Sequence, residues 1–192
     1  MFDRARLDVT FLPAVARDER LARLRTGDTD LALMDLASFV DTVATEPGFP
    51  ARCVMVVTQR LPMAAHHVAD RDVAGALVRA PHDLLRARFG APAGSAFESE
   101  HRALLRRLRE PASDLHVDLP YGEVFQALDA GWVDVVPDYA GIAPRFRRIL
   151  GAERHAMIRY RDCGVRAYGM GLLATRSALE RHPERIATFL KA

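Results

Sequence analysis

The chain has 192 residues, 49% of them apolar and 27% charged, with a formal net charge of +2. That balance excludes a long disordered chain and fits a folded globular protein with room for a core. Lys191 is the single lysine and the arginines are scattered, which argues against a phosphate-tracking groove; no apolar run reaches the ~18 residues of a membrane helix.

In chain order, residues 7–12 read as a strand ended by Pro13, and residues 16–25 as a surface helix stopped by Gly27. Residues 30–34 are apolar in succession, as in a strand buried on both faces. Residues 36–45 are helical, and residues 53–57 a second buried strand. Residues 63–68 resume an extended pattern. Val73, Ala76 and Leu77 fit one helix face, and Pro81 with Asp83 suits a short helix start. Residues 88–91 form a short strand. Ser95 and Glu98 have capping-box spacing, so a helix runs from Ser95 to about Glu110.

Residues 115–139 read as strand, helix and strand, with Gly131 stopping the helix. The same grammar spans residues 7–35, and an Asp follows each stopping glycine by three residues: Asp30 and Asp134. Two such units half a chain apart predict two similar lobes. A basic helix ends near Leu150, residues 156–160 are a strand, and residues 167–175 an extended crossing segment. Ser177 and Glu180 make a second capping box, with a helix continuing through His182 and Pro183 to Leu190. The alternation predicts an α/β fold with mixed, mostly parallel sheets, and ligands then gather at strand C-terminal ends: residues 35–38, 93–96 and 137–141.

The chemistry motifs are mostly exclusions. There is no P-loop, no dinucleotide-binding glycine fingerprint and no nucleophile elbow. Cys53 and Cys163 form no CxxC and read as small buried apolar residues. His66 and His67 point to opposite faces of a strand and cannot chelate together, so one is expected at the surface and one half-buried. Asp134 and Asp138 are expected near one strand end. No local motif asks for an enzyme, a cofactor or a metal.

Four groups of motifs, in order, resemble one family. They are Leu7-Asp8-Val9-Thr10-Phe11 with Gly27-Asp28-Thr29-Asp30-Leu31-Ala32; Gln59-Arg60-Leu61-Pro62 with Ala80-Pro81-His82-Asp83-Leu84 and Phe89-Gly90-Ala91-Pro92-Ala93-Gly94-Ser95; Ala127-Leu128-Asp129-Ala130-Gly131-Trp132-Val133-Asp134; and Tyr160-Arg161-Asp162-Cys163-Gly164-Val165 with Tyr168-Gly169-Met170-Gly171-Leu172-Leu173-Ala174, then His182-Pro183-Glu184. The chain resembles the NMT1/THI5-like (SsuA-like) substrate-binding proteins of ABC importers. The resemblance implies a two-lobed, type II periplasmic-binding-protein fold. Lobe one would hold residues 1–70, lobe two 71–145, and residues 146–192 would cross back to lobe one. Relatives begin with an export signal and one more strand–helix unit, which this sequence does not show.

On this reading a small polar solute of the pyrimidine, sulfonate or aromatic-acid class is captured between lobes for an ABC permease. The expected ligand-binding residues are Asp35, Ser38, Gln59 and Arg60, then Gly94, Ser95, Ala96, Asp138 and Tyr139. Arg145 is the counter-ion for an anionic solute and Tyr168 a stacking wall. No cofactor, metal or nucleic acid is expected, and a homo-oligomer would cover the incomplete lobe. The location is extracytoplasmic if a signal has been removed, and cytoplasmic if the chain is complete. The alternatives are an enzyme on the same fold, either an aromatic-acid decarboxylase or a thiamine-pyrimidine synthase, and a non-transporting sensor. Two distant cysteines do not supply the synthase's cysteine-rich motif, and His66, His67 and Asp35 are the candidates nearest a decarboxylase metal set.

Overall fold

The computed structural model describes residues 7–13, 15–108 and 115–192. The chain divides into two compact units, residues 1–59 with 169–192, and residues 60–168.

Unit one contains α1 (Arg17–Thr26), β1 (Leu31–Asp35), α2 (Leu36–Thr45) and β2 (Ala51–Val56). After unit two the chain returns to it with β10 (Met170–Thr175), α6 (Arg176–Arg181) and α7 (Pro183–Lys191). Its sheet has the order β1-β10-β2, and both pairings are antiparallel. Leu21 and Leu24 of α1 pack with Ala32, Met34, Phe49 and Leu173, and Phe39 and Val43 of α2 close the cluster.

Residues 7–12 form no strand, against the sequence pattern; β1 pairs with β10 and with no other described strand. The strand at residues 51–56 is also not buried. It is an edge strand, and Cys53 on it is exposed, while Cys163 is half-exposed; both are free thiols. Thr175 caps α6 by accepting the Ala178 amide at 3.2 Å, so the helix starts before Ser177 and the predicted second capping box does not form. The helix then breaks at His182, whose φ of −140° leaves helical space, and α7 restarts with Pro183 in its first turn.

Unit two contains β3 (Met63–Val68), β4 (Asp72–Val73), β5 (Ala76–Leu77), β6 (Phe89–Ala91), α3 (Ala96–Arg107), β7 (His116–Asp118), α4 (Val124–Ala130), β8 (Val135–Tyr139), α5 (Ala143–Leu150) and β9 (His155–Arg159). Its main sheet has the order β7-β6-β8-β3-β9. The pairs β6–β7 and β6–β8 are parallel, and β3 runs antiparallel to β8 and β9. The unit-two sheet is therefore mixed and the unit-one sheet wholly antiparallel, so antiparallel pairs outnumber the parallel ones. Where the resemblance implied residues 63–68 in lobe one, β3 sits inside the unit-two sheet, and β9 joins it there.

The pleat of β8 splits two cores. Val135 packs with Met63, Ala65, Phe89 and Leu104 on the α3 side. Val136 packs with Val68, Phe125, Leu128, Phe146 and Leu150 on the α4–α5 side. Being central, β3 is buried along its whole length, so His66 and His67 are both interior, not one surface and one half-buried. Residues 72–77 are a hairpin instead of the expected helix face: Ala74 and Gly75 take φ of 50° and 89°, as a type I′ turn requires.

The repeated helix stop is real geometry. Gly27 and Gly131 end α1 and α4 with φ of 79° and 80°, a left-handed conformation that costs other residues a Cβ clash. The end of the α3 prediction, Glu110, lies outside the described residues. Among the described residues no helix is long and apolar enough to cross a membrane.

Candidate functional site

The C-terminal ends of β6, β7 and β8 lie side by side because these strands are parallel neighbours. Each runs into a segment that carries polar or aromatic side chains. β6 leads to Gly94, Ser95 and α3; β7 leads to Pro120 and Tyr121; β8 ends in Asp138 and Tyr139 and leads to α5 with Arg145. β3 starts beside them, since Met63 pairs with Tyr139 and the Ala140 amide donates to Pro62 O at 2.7 Å. Arg60, exposed, is two residues upstream of Pro62.

Asp138 sits at the centre and is fully buried. Its Oδ1 accepts the Tyr139 amide at 2.7 Å, and its Oδ2 accepts the Tyr121 hydroxyl at 2.9 Å. Burial raises its pKa, and the Tyr139 amide, the Tyr121 hydroxyl and the Arg145 charge pull back against that. Burial, with the Asp138 charge, pushes the Tyr121 phenol up to about 12, so it stays a donor.

An aromatic wall surrounds this pair. Phe97, in the first turn of α3, stacks on Tyr121 with ring centroids 5.5 Å apart and 14° between planes, and meets Tyr139 edge-on at 5.5 Å. Phe125 meets Tyr121 edge-on at 5.9 Å. The Arg145 guanidinium lies 3.9 Å over the Phe125 ring. It is exposed, and no described acid forms an ion pair with it.

The α3 start is more internally committed than its sequence implied. Ser95 Oγ accepts the Glu98 amide at 3.3 Å, but Glu98 reaches the Gly94 amide at 2.7 Å and Arg102 at 2.8 Å. Asp118 accepts the Ala93 amide at 2.8 Å. Gly94 thus gives its N–H to its own helix's carboxylate, and Ala96 and Phe97 are left as first-turn amides with no acceptor inside the helix.

Behind the site, His66 Nε2 lies 3.2 Å from Tyr139 O and Nδ1 lies 2.9 Å from His155 Nε2. The His66 ring stacks on Phe146 at 4.1 Å and 10°. In the opposite core, His101 of α3 lies against the Phe89 ring, and its Nδ1 meets Tyr160 Oη at 2.5 Å.

Of the predicted residues, unit two therefore brings together Ser95, Ala96, Asp138, Tyr139 and Arg145, with Gly94 and Arg60 at the margins. Tyr168 is exposed at the end of the unit-two chain and belongs to none of these contacts. Asp134 is not near Asp138: it lies at the other end of the β8 segment, bound by Arg88 at 2.9 Å. In unit one, Asp35 caps α2 by accepting the Ser38 amide at 2.7 Å, Ser38 Oγ is buried without a partner, and Gln59 is exposed at the last residue before unit two. Phe97, Tyr121 and Phe125 went unpredicted; Tyr121 was reachable, because it follows a strand by three residues. Among the described residues no group of three or more His, Cys, Asp or Glu side chains is placed to hold a metal ion.

The family model described as NMT1/THI5 like matches residues 1–192 of this chain. The chain belongs to the NMT1/THI5-like family. Among solved structures, the periplasmic aliphatic sulphonate binding protein SsuA of Escherichia coli is similar at 19% identity and a TM-score of 0.68, covering 90% of this chain and 56% of that one. The alkanesulfonate-binding protein SsuA of Xanthomonas axonopodis pv. citri, bound to MOPS, matches at 16% identity and a TM-score of 0.63, covering 89% and 56%. The Candida albicans CA3427 gene product, described as having the generic periplasmic binding protein fold, matches at 14% identity and 0.73, covering 99% and 61%. At these identities the likeness shows the fold, and the chain spans a little under two thirds of each structure. Among curated proteins none matches the chain.

Proposed function

We propose that this chain binds a small polar organic solute as the substrate-binding component of an ABC importer, with the unit-two strand ends supplying one wall of the site. The observation that carries the reading is the Arg145 guanidinium. It is held over Phe125, exposed and in no ion pair among the described residues, close enough for its charge to act on Tyr121 and the buried Asp138. A preorganised, exposed cation favours an anionic group, and Phe97 and Tyr121 offer apolar surface to the remainder of the solute. The sulfonate-binding relatives support the same charge sign. Asp138 and Tyr121 would set orientation, and Arg60 and Ser95 would lie at the rim. Asp35, Ser38, Gln59 and Tyr168 stay secondary candidates. An ABC permease is the proposed partner and the extracytoplasmic side the proposed location.

Titration calorimetry with an aliphatic sulfonate, an aromatic acid and a pyrimidine tests this. Binding of the sulfonate should weaken roughly 10- to 100-fold in Arg145→Ala, the ~1.5–3 kcal/mol of a charge-assisted hydrogen bond. Unchanged affinity in that variant, or tighter binding of the uncharged pyrimidine, sinks the assignment.

A further inference from the structure

The edge of β1 away from β10, unpaired among the described residues, has a defined hydrogen-bonding phase. The Leu36 amide donates to Gly169 O and the Thr175 amide to Asp30 O. Bonded residues alternate along an antiparallel ladder, so Asp30, Ala32, Met34 and Leu36 face β10. Leu31, Leu33 and Asp35 turn their backbone groups to the other edge. Two of those carbonyls are occupied: Thr29 Oγ1 donates to Leu31 O at 2.9 Å, and Arg20 Nη1 donates to Leu33 O at 3.1 Å. The Leu31, Leu33 and Asp35 amides have no acceptor among the described residues, and they recur every ~6.8 Å.

This edge opens on a groove of about 590 Å³ whose walls include residues 7–12, Leu31, Leu33, Ile186 and Phe189. Residues 7–12 alternate as a strand does, with Leu7, Val9 and Phe11 against Asp8 and Thr10, yet they line the groove without pairing with β1. A strand-patterned segment and a strand edge with unused donors thus share one groove. Their lengths match: six residues extend ~20 Å and the five of β1 ~17 Å.

We propose that a second copy of this chain fills the groove. The partner's residues 7–12 add as a strand to the β1 edge, and the exchange is reciprocal about a twofold axis. Each copy then covers the other's edge, and the interface strands run β1, the partner's residues 7–12, residues 7–12, the partner's β1. The arrangement closes on itself, as an isologous interface must, and leaves no edge to propagate. The charges agree: the groove wall carries Arg185, whose side chain has no partner among the described residues, and the incoming segment brings Asp8.

Light scattering on a gel-filtration peak tests this with the full chain. The wild type should weigh twice the 21.3 kDa monomer at tens of micromolar. Thr10→Pro removes a ladder amide from an exposed position outside every helix and strand, and should weaken the dimer at least tenfold with an unchanged circular dichroism spectrum. Leu33→Lys, on the other partner of the pairing, should do the same. Deuterium exchange over residues 31–35 should be slow in the dimer and fast in either variant. A wild type that stays monomeric, a dimer that survives both substitutions, or a dimer with fast exchange at residues 31–35 overturns the proposal. So does a monomer whose groove instead takes up an added peptide of different sequence.

Discussion

Lowering the pH from 7 to 5 should strip several kcal/mol from unit two, because interior histidines are held neutral there, His66 and His101 most strongly. His66 and His101 are each fully buried, and burial, ahead of neighbouring positive charge, pulls both down to about 3. The unfolded chain titrates them near 6.5, so it binds more protons than the native state throughout the window between. A depressed histidine pKa therefore gives stability that is present above pH 6.5 and lost as pH falls toward 3. At pH 5 the gap of 1.5 units from the unfolded value costs about 2 kcal/mol per histidine, or about 4 kcal/mol for the two. That is a large share of the 5–15 kcal/mol typical of a domain. Asp138 works with the opposite sign, since a raised carboxyl pKa adds stability as pH falls, and it offsets part of the loss at the acid end. Urea unfolding followed by circular dichroism at pH 7, 6 and 5 measures the effect. His101→Gln should remove its own share, about 2 kcal/mol, of the pH dependence, the rest staying with His66 and with His67 and His155, which burial also lowers. A loss under 1 kcal/mol between pH 7 and 5, or an equal loss in that variant, would show that the interior histidines are not what titrates.

Two packing predictions are independent of pH. Gly171→Ala would place a Cβ 2.5 Å from Leu36 Cδ2 and 3.2 Å from Cys53 Sγ, where β10 is sandwiched in its sheet. It should cost about 1–3 kcal/mol and lower the melting temperature; a melt identical to wild type would mean that Leu36 moves aside freely. Arg88→Ala removes contacts of 3.0 and 2.9 Å from the buried Asp134 carboxylate and leaves it the Arg88 amide. Because Arg88 is itself half-exposed, the cost should be about 1–2 kcal/mol, below that of a wholly buried pair, as read from the urea midpoint.

Local signals were legible wherever the cause was local. α2 spans the predicted residues because Asp35 caps it and no breaker interrupts it before Glu46. Gly27 and Gly131 ended their helices for a steric reason visible in one residue. The failures had non-local causes. Residues 7–12 carry a strand pattern, but a strand needs a neighbour, and pairing is not written in the segment itself. His66 and His67 are interior because β3 is the fourth of five strands in its sheet and is covered on both faces. The site residues at strand ends were found by the strand-end rule. Phe97 and Phe125 were not, since their role comes from stacking against Tyr121 across separate elements.

The hydrogen bond from His66 to the Tyr139 carbonyl has a directional consequence. A carbonyl only accepts, so His66 must carry its proton on Nε2, and its Nδ1 is left as a lone pair. His155 Nε2, 2.9 Å away, is then the proton donor, and His155 Nδ1 is left bare and buried without a partner. Both rings are thereby fixed in the same tautomer, and the polarity of the chain runs one way, from α5's flank toward the end of β8. A solute that pulls on Tyr139 acts on a dipole series already aligned toward it.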